Sequence, residues 1–161
     1  KQFISLIGSR PITEFNYRFN HPKEAHVFVG VQVASRSESL KLVEQLRKHG
    51  YPTLDLTCDE MAKLHLRHLV GGHAPQLSNE LVYRFEFPER PGALMNFLSK
   101  MSAGWNISLF HYRNHGADYG RVLVGIQVPP EEMPKFKEFL QNLAYRHWDE
   151  SQNPAAQFFL A

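Results

Sequence analysis

Leu81, Tyr83, Phe85 and Phe87 alternate with Val82, Arg84 and Glu86, the period of a half-buried strand. Pro88-Glu89-Arg90-Pro91-Gly92 breaks the alternation, and the period then changes. Leu94, Phe97, Leu98 and Met101 fall at i, i+3, i+4 and i+7, one face of a helix. Pro91 is expected in its first turn and Gly104 as the residue that closes it. Asn106 to Arg113 reads as the next strand, His115 to Gly120 as a turn, and Arg121 to Val128 as a buried strand stopped by Pro129-Pro130. Met133, Phe136, Phe139, Leu140 and Leu143 form a second helical stripe. A short strand around Tyr145 to Trp148 completes the order βαββαβ, with a tail from Asp149 to Ala161.

The same pattern stands earlier in the chain. Val27-Phe28-Val29-Gly30-Val31-Gln32-Val33 returns 95 positions on as Val122-Leu123-Val124-Gly125-Ile126-Gln127-Val128, and over positions 12 to 33 nine of 22 residues are identical. A repeat of that length is a duplicated small domain rather than a solenoid unit. In the first copy Phe3, Leu6 and Ile7 end a helix, and Ser35 with Glu38 forms a capping box. Leu40, Val43 and Leu46 give the stripe of the closing helix, Gly50 stops it, and Thr53 to Thr57 is the closing strand. Asp59-Glu60 opens a helical tail with Met61, Leu64, His65, His68 and Leu69 on one face, and Gly71 to Pro75 is the linker. The boundaries are 1–73 and 74–161. The first copy lacks the opening strand and Pro-Gly loop of the second, which by the offset would lie before Lys1. The edge thus uncovered is expected to pair with another chain or with copy two.

Composition adds bounds rather than chemistry. At 161 residues, 43% hydrophobic and 12% aromatic, the chain has material for packed cores. A net charge of +2, spread without basic runs, gives no polyanion footprint. Cys58 is the only cysteine, so no internal disulfide forms and a thiolate zinc site is disfavoured. No run of 18 apolar residues and no signal peptide is present; a cytoplasmic protein without membrane contact is expected.

Nine histidines invite a metal, yet no HExxH or CxxC completes a ligand set, and structural histidines are the simpler reading. No GxSxG, Walker loop or GxGxxG appears. The loop Pro88 to Leu94 says more. It is either an ordinary strand–helix turn or a helix start whose free N–H groups hold a carboxylate, with Gly92 leaving room for the ligand. Asn106 is either a turn residue before a strand or a donor and acceptor for a zwitterionic amino acid.

Pro88-x-x-Pro91-Gly92-Ala93-Leu94 followed by Asn106-Ile107 resembles the ACT family, a ferredoxin-like βαββαβ module that binds amino acids. Three longer strings resemble the C-terminal regulatory region of the biosynthetic threonine deaminase family: Trp105 to Arg113, Thr13 to Phe19, and Asp59 to His65. So do Asp118 to Val122 and the ending Asn153-Pro154 with Phe158 to Ala161. The resemblance spans essentially the whole chain. It implies an α+β fold of tandem ferredoxin-like (ACT-like) subdomains, with antiparallel sheets and helices on one face. It also implies isoleucine as inhibitor and valine as opposing effector. An N-terminal catalytic domain would carry pyridoxal phosphate and convert threonine to 2-oxobutanoate and ammonia, commonly in a tetramer. This chain would then be non-catalytic, with no cofactor of its own.

The effector site expected on these grounds comprises Pro91, Gly92, Ala93, Leu94, Met101, Asn106, Ile107, Tyr112, Val128 and Tyr17. Leu94, Met101 and the two tyrosines come from the resemblance. Two other readings stand beside it. One is an RNA-binding βαββαβ module, against which β-strand positions occupied by Val, Leu and Ile rather than stacking aromatics argue. The other is a pure assembly domain with no ligand.

Overall fold

A computed structural model describes residues 1–19, 25–59, 72–114 and 118–160, without the side chains of Ala155, Phe158 and Phe159. The helical tail expected from Glu60 to Leu69 and the turn at His115 to Ala117 lie outside the described residues. In chain order the elements are α1 (Gln2–Ile7), β1 (Ile12–Arg18), β2 (Val27–Val31), α2 (Arg36–Lys48) and β3 (Glu80–Pro88). Then come α3 (Ala93–Lys100), β4 (Asn106–Arg113), β5 (Tyr119–Gln127), a 3₁₀ turn (Pro130–Glu132), α4 (Met133–Leu143), β6 (Arg146–Asp149) and α5 (Pro154–Phe159).

The fold is α+β, but the two copies share one sheet instead of having one each. Six antiparallel strands run in the order β2-β1-β4-β5-β3-β6. The seam is β1 against β4, with Phe15 opposite Tyr112 and Tyr17 opposite Phe110. These strands are equivalents in the repeat, so joining them edge to edge satisfies the backbone groups of both. Copy one therefore does pair with copy two, though not through the edge expected: β2 remains the outermost strand. Thr53 to Thr57 is not a strand. In copy two the closing strand β6 hydrogen-bonds to the opening strand β3, and among the described residues of 1–73 there is no counterpart of β3 for Thr53 to Thr57 to join.

The glycine at the centre of the repeated motif has a steric reason. Both β1 and β4 carry a bulge at the same repeat position, between Ile12 and Glu14 and between Ile107 and Leu109. The extra residue is Thr13 or Ser108, and Gly30 or Gly125 lies across from it. A Cβ on Gly30 would sit 2.5 Å from Thr13 Oγ1, and one on Gly125 would sit 2.8 Å from Ser108 Oγ. The close approach at each glycine is thus by the bulged hydroxyl side chain, joined at Gly125 by Glu80 Oε1 at 2.6 Å.

One face of the sheet carries the main core. Tyr83, Phe85, Phe87, Phe110, Val122, Val124 and Ile126 meet Phe97 of α3 and Phe136, Phe139, Leu140 and Leu143 of α4. The α4 stripe is as expected, and α3 buries Phe97 fully. In α2 the buried face is Leu42 and Leu46, while Leu40 is exposed. Leu40 lies two positions from Leu42, on the order of 200° around the helix. Gly50 does close α2, with φ 82°. Gly104 does not close α3, which ends at Lys100 with extended Met101 as its cap. Residues 102–104 instead turn the chain so that Trp105 enters the core.

The opposite face is covered in part by the C-terminal tail, so helices are not confined to one side. Leu160 is buried with Val82 and Leu109. Arg18 secures it: Nη2 donates to the Leu160 carbonyl at 2.6 Å, Nε to the Gly72 carbonyl at 2.9 Å, and Nη1 to Glu80. Among the described residues no helix is long and apolar enough to cross a membrane.

Candidate functional site

The loop Pro88 to Gly92 ends β3 beside β5, where the Glu89 amide donates to the Asp118 carbonyl at 3.1 Å. Gly92, with φ 87°, is the N-cap of α3, a left-handed conformation that glycine adopts without steric cost. Pro91 therefore precedes the helix rather than standing in its first turn. Across from this loop, α1 ends at Gly8 and the chain passes Ser9, Arg10 and Pro11 before entering β1. The two turns come from different copies and are brought together by the β1–β4 seam.

Between them lies a cavity of about 430 Å³, within the range of small-molecule sites. Its apolar lining includes Ile4, Ile12, Phe87, Ala93, Leu94 and Phe110. Three charged side chains, the cations Arg10 and Arg90 and the anion Glu89, also line it. Arg10 donates from Nε to Glu38 Oε1 at 2.8 Å and from Nη1 to the Ile7 carbonyl at 2.9 Å. Glu89 accepts from Tyr112 Oη at 2.7 Å and from Asn114 Nδ2 at 3.0 Å. Burial, then the hydrogen bond and charge of Glu89, push the Tyr112 hydroxyl well above its ordinary value, so it stays a donor. A Cβ on Gly120 would come within 2.6 Å of Glu89 Oε1 and closer still to the Tyr112 ring. Glycine there leaves the pair room to meet.

Of the ten residues expected in the effector site, Pro91, Gly92, Ala93, Leu94 and Tyr112 line this cavity. The others do not. Asn106 begins the strand on which Tyr112 stands near the end, about 20 Å away at strand rise, and its Nδ2 donates to Gln127 Oε1 at 2.8 Å. Met101 caps the far end of α3 and packs on the core. Val128, directly after β5, is buried in the main core at 2% exposure. Tyr17 and Ile107 line a second, open groove with Phe15, Leu94 and Leu98. That groove contains the repeat equivalent of the first cavity, since Tyr17 corresponds to Tyr112 and Ile107 to Ile12. Five of the expected residues therefore line the first cavity and two more the second groove, while Met101, Asn106 and Val128 line neither.

Arg10 and Glu89 were absent from that list. Glu89 lies within the Pro88 to Leu94 loop, but its aim depends on Tyr112 and Asn114 across the sheet. Arg10 had a signal in the repeat: its counterpart is Trp105, a core residue, so only one copy places a cation there. Among the described residues no three potential metal ligands gather. On β5, Val122, Val124 and Ile126 are buried in the core, and the other face carries Tyr119, Arg121, Leu123, Gly125 and Gln127, with Tyr119 its one aromatic.

Residues 1–66 and 71–160 match the family model described as the C-terminal regulatory domain of threonine dehydratase. The chain is 53% identical over 161 residues to the biosynthetic L-threonine dehydratase IlvA of Burkholderia multivorans, covering 100% of this chain and 32% of that protein. It is 50% identical over 161 residues to the Escherichia coli protein of the same description, covering 99% and 31%. It is 44% identical over 169 residues to the mitochondrial threonine dehydratase of Saccharomyces cerevisiae, covering 99% and 29%. The chain thus spans about a third of the length of the curated relatives it matches.

Proposed function

The chain belongs to the family of C-terminal regulatory domains of threonine dehydratase, and on that premise we propose that it binds isoleucine or valine in the Arg10–Glu89 cavity. The observation that carries this reading is one apolar cavity that also holds charged side chains of both signs, Arg10, Arg90 and Glu89, the complement of a zwitterion with an aliphatic side chain. Arg10 and the first-turn N–H groups of α3 take the carboxylate. Glu89, steadied by Tyr112, takes the ammonium group. Ile4, Ile12, Leu94 and Phe110 take the side chain. The expected site is thereby revised to one built from both copies.

Isoleucine differs from valine by one methylene, worth about 1 kcal/mol or slightly more. A cavity of this kind separates the two by roughly tenfold. Opposed effects of the two amino acids then require different affinities for two states of the whole protein. The division into subdomains at 1–73 and 74–161 belongs to the same proposal. So do the threonine-to-2-oxobutanoate lyase activity of the whole protein, its assembly as a homo-oligomer and its N-terminal catalytic domain. Pyridoxal phosphate belongs with that catalytic domain in the same proposal.

Calorimetry of this chain tests the reading. Isoleucine is expected to bind, valine about tenfold more weakly, and Leu94→Phe to abolish both by filling the cavity. No heat at millimolar isoleucine overturns the proposal and leaves an assembly role. Unchanged binding in Leu94→Phe would put the site elsewhere.

A further inference from the structure

We propose that Glu38 is a positioning residue for this cavity, holding the Arg10 guanidinium against the carboxylate of the bound amino acid and tying occupancy to the first turn of α2. The inference rests on the effector reading above.

Arg10 stands on a turn, where a long side chain loses roughly 2 kcal/mol of rotamer freedom if it must be ordered by the ligand alone. Two partners order it beforehand, the Ile7 carbonyl at Nη1 and Glu38 Oε1 at Nε, 2.8 Å away. They use two of the five guanidinium N–H groups. The remaining three, including both on Nη2, suffice for a two-point contact with a carboxylate.

Glu38 is itself fixed. Its amide donates to Ser35 Oγ at 3.2 Å, the N-cap contact of α2, and its Oε2 accepts from the Ala34 amide at 2.8 Å. One carboxylate oxygen therefore secures the start of α2 while the other anchors Arg10. The Ala34 amide first, and Arg10 with it, holds the Glu38 carboxyl below the usual carboxylate range, so the anchor is charged at neutral pH.

The second copy preserves the anchor and changes what it holds. There Trp105 takes the place of Arg10, and its Nε1 donates at 2.7 Å to Glu132, just before α4. A carboxylate at the start of the second helix thus orders the residue that leads into the strand in both copies. In copy two that residue is a buried indole, which is a packing arrangement. In copy one it is a cation lining a cavity, and the same anchor acquires a role toward a ligand.

The test separates positioning from mere stability by using isoleucine and isoleucinamide, whose carboxylate is replaced by a neutral amide. Wild type is expected to prefer isoleucine. Glu38→Ala is expected to weaken isoleucine about tenfold and to leave isoleucinamide unchanged. Glu38→Gln, which keeps an acceptor for the Ala34 amide, is expected to retain the helix content of wild type and still lose part of the preference. In an Arg10→Met background Glu38→Ala is expected to add no further loss. Equal weakening of both ligands, an unchanged preference, or tighter isoleucine binding overturns the inference. Failure of wild type to bind either ligand instead overturns the effector reading itself.

Discussion

Asn16 on β1 pairs with His111 on β4, and the two hold the same position of the repeat, 95 residues apart. A local two-fold axis therefore passes between them. Every neighbouring pair exchanges identities across it: Phe15 faces Tyr112 and Tyr17 faces Phe110. Duplication supplied two equivalent strand edges, and pairing them makes two related recesses, one on each side of the axis. The recess at Tyr112 meets the Pro88–Gly92 loop and becomes a cavity. The recess at Tyr17 opens into a groove that, among the described residues of 1–73, has no such loop.

The two tyrosines should accordingly behave differently in this chain. Tyr112→Phe removes the hydroxyl that donates to Glu89 at 2.7 Å and is expected to weaken isoleucine about tenfold. Tyr17→Phe is expected to leave the affinity within about twofold. Calorimetric titration of the two variants side by side checks this; equal losses would place the ligand astride the axis.

Arg18 joins three separate stretches of chain. Its side chain is 3% exposed and that of Glu80 13%. Arg18→Met is expected to cost about 3–5 kcal/mol, because the Glu80 carboxylate is left without its cation. It should also free the tail, since the Leu160 carbonyl loses its donor. Urea unfolding gives the first quantity. Faster amide hydrogen exchange at residues 156–160 gives the second.

Ala144 ends α4 in the left-handed region at φ 56°, while the equivalent turn of copy one uses Gly50 at φ 82°. Each is followed by a tyrosine, Tyr145 or Tyr51. A side chain in that conformation costs roughly 1 kcal/mol. Ala144→Gly is expected to stabilise the chain by about 0.5–1 kcal/mol, read as a higher urea midpoint at constant slope.

Alkaline pH should destabilise the fold through Tyr83. Burial, then the charge of Asp149, and its hydrogen bond, push the Tyr83 hydroxyl from 10.0 up to about 12. Between those values the unfolded chain has lost a proton that the folded one keeps, so stability falls as pH rises. Tyr83→Phe should flatten this part of the curve in urea melts at pH 9 to 11. An unchanged slope would assign the effect to other tyrosines.

Periodicity alone located β3, α3, β4, β5 and α4, because each has an alternating or helical stripe facing one continuous core. It misjudged α2, where Leu40 sits beside the stripe but off its face. It also misjudged Thr53 to Thr57, since apolar alternation makes a strand only where a partner edge is available. The family resemblance and the Pro-Gly loop pointed to half of the cavity lining. Arg10 and Glu89 escaped because their convergence depends on which strand edges meet.

The sequence by itself determined the duplicated βαββαβ plan, the glycine repeated at the centre of each matching strand and the break at Pro88 to Gly92 before a helix. These follow from local periods and backbone sterics, which act between near neighbours. Only the tertiary structure decided that β1 joins β4 with Asn16 and His111 at the axis, making one sheet from two copies. Strand edges are chemically alike, so the choice among them is set by what else each edge could pair with. That choice brings the turn of Arg10 to the loop of Glu89, 79 residues away in the chain.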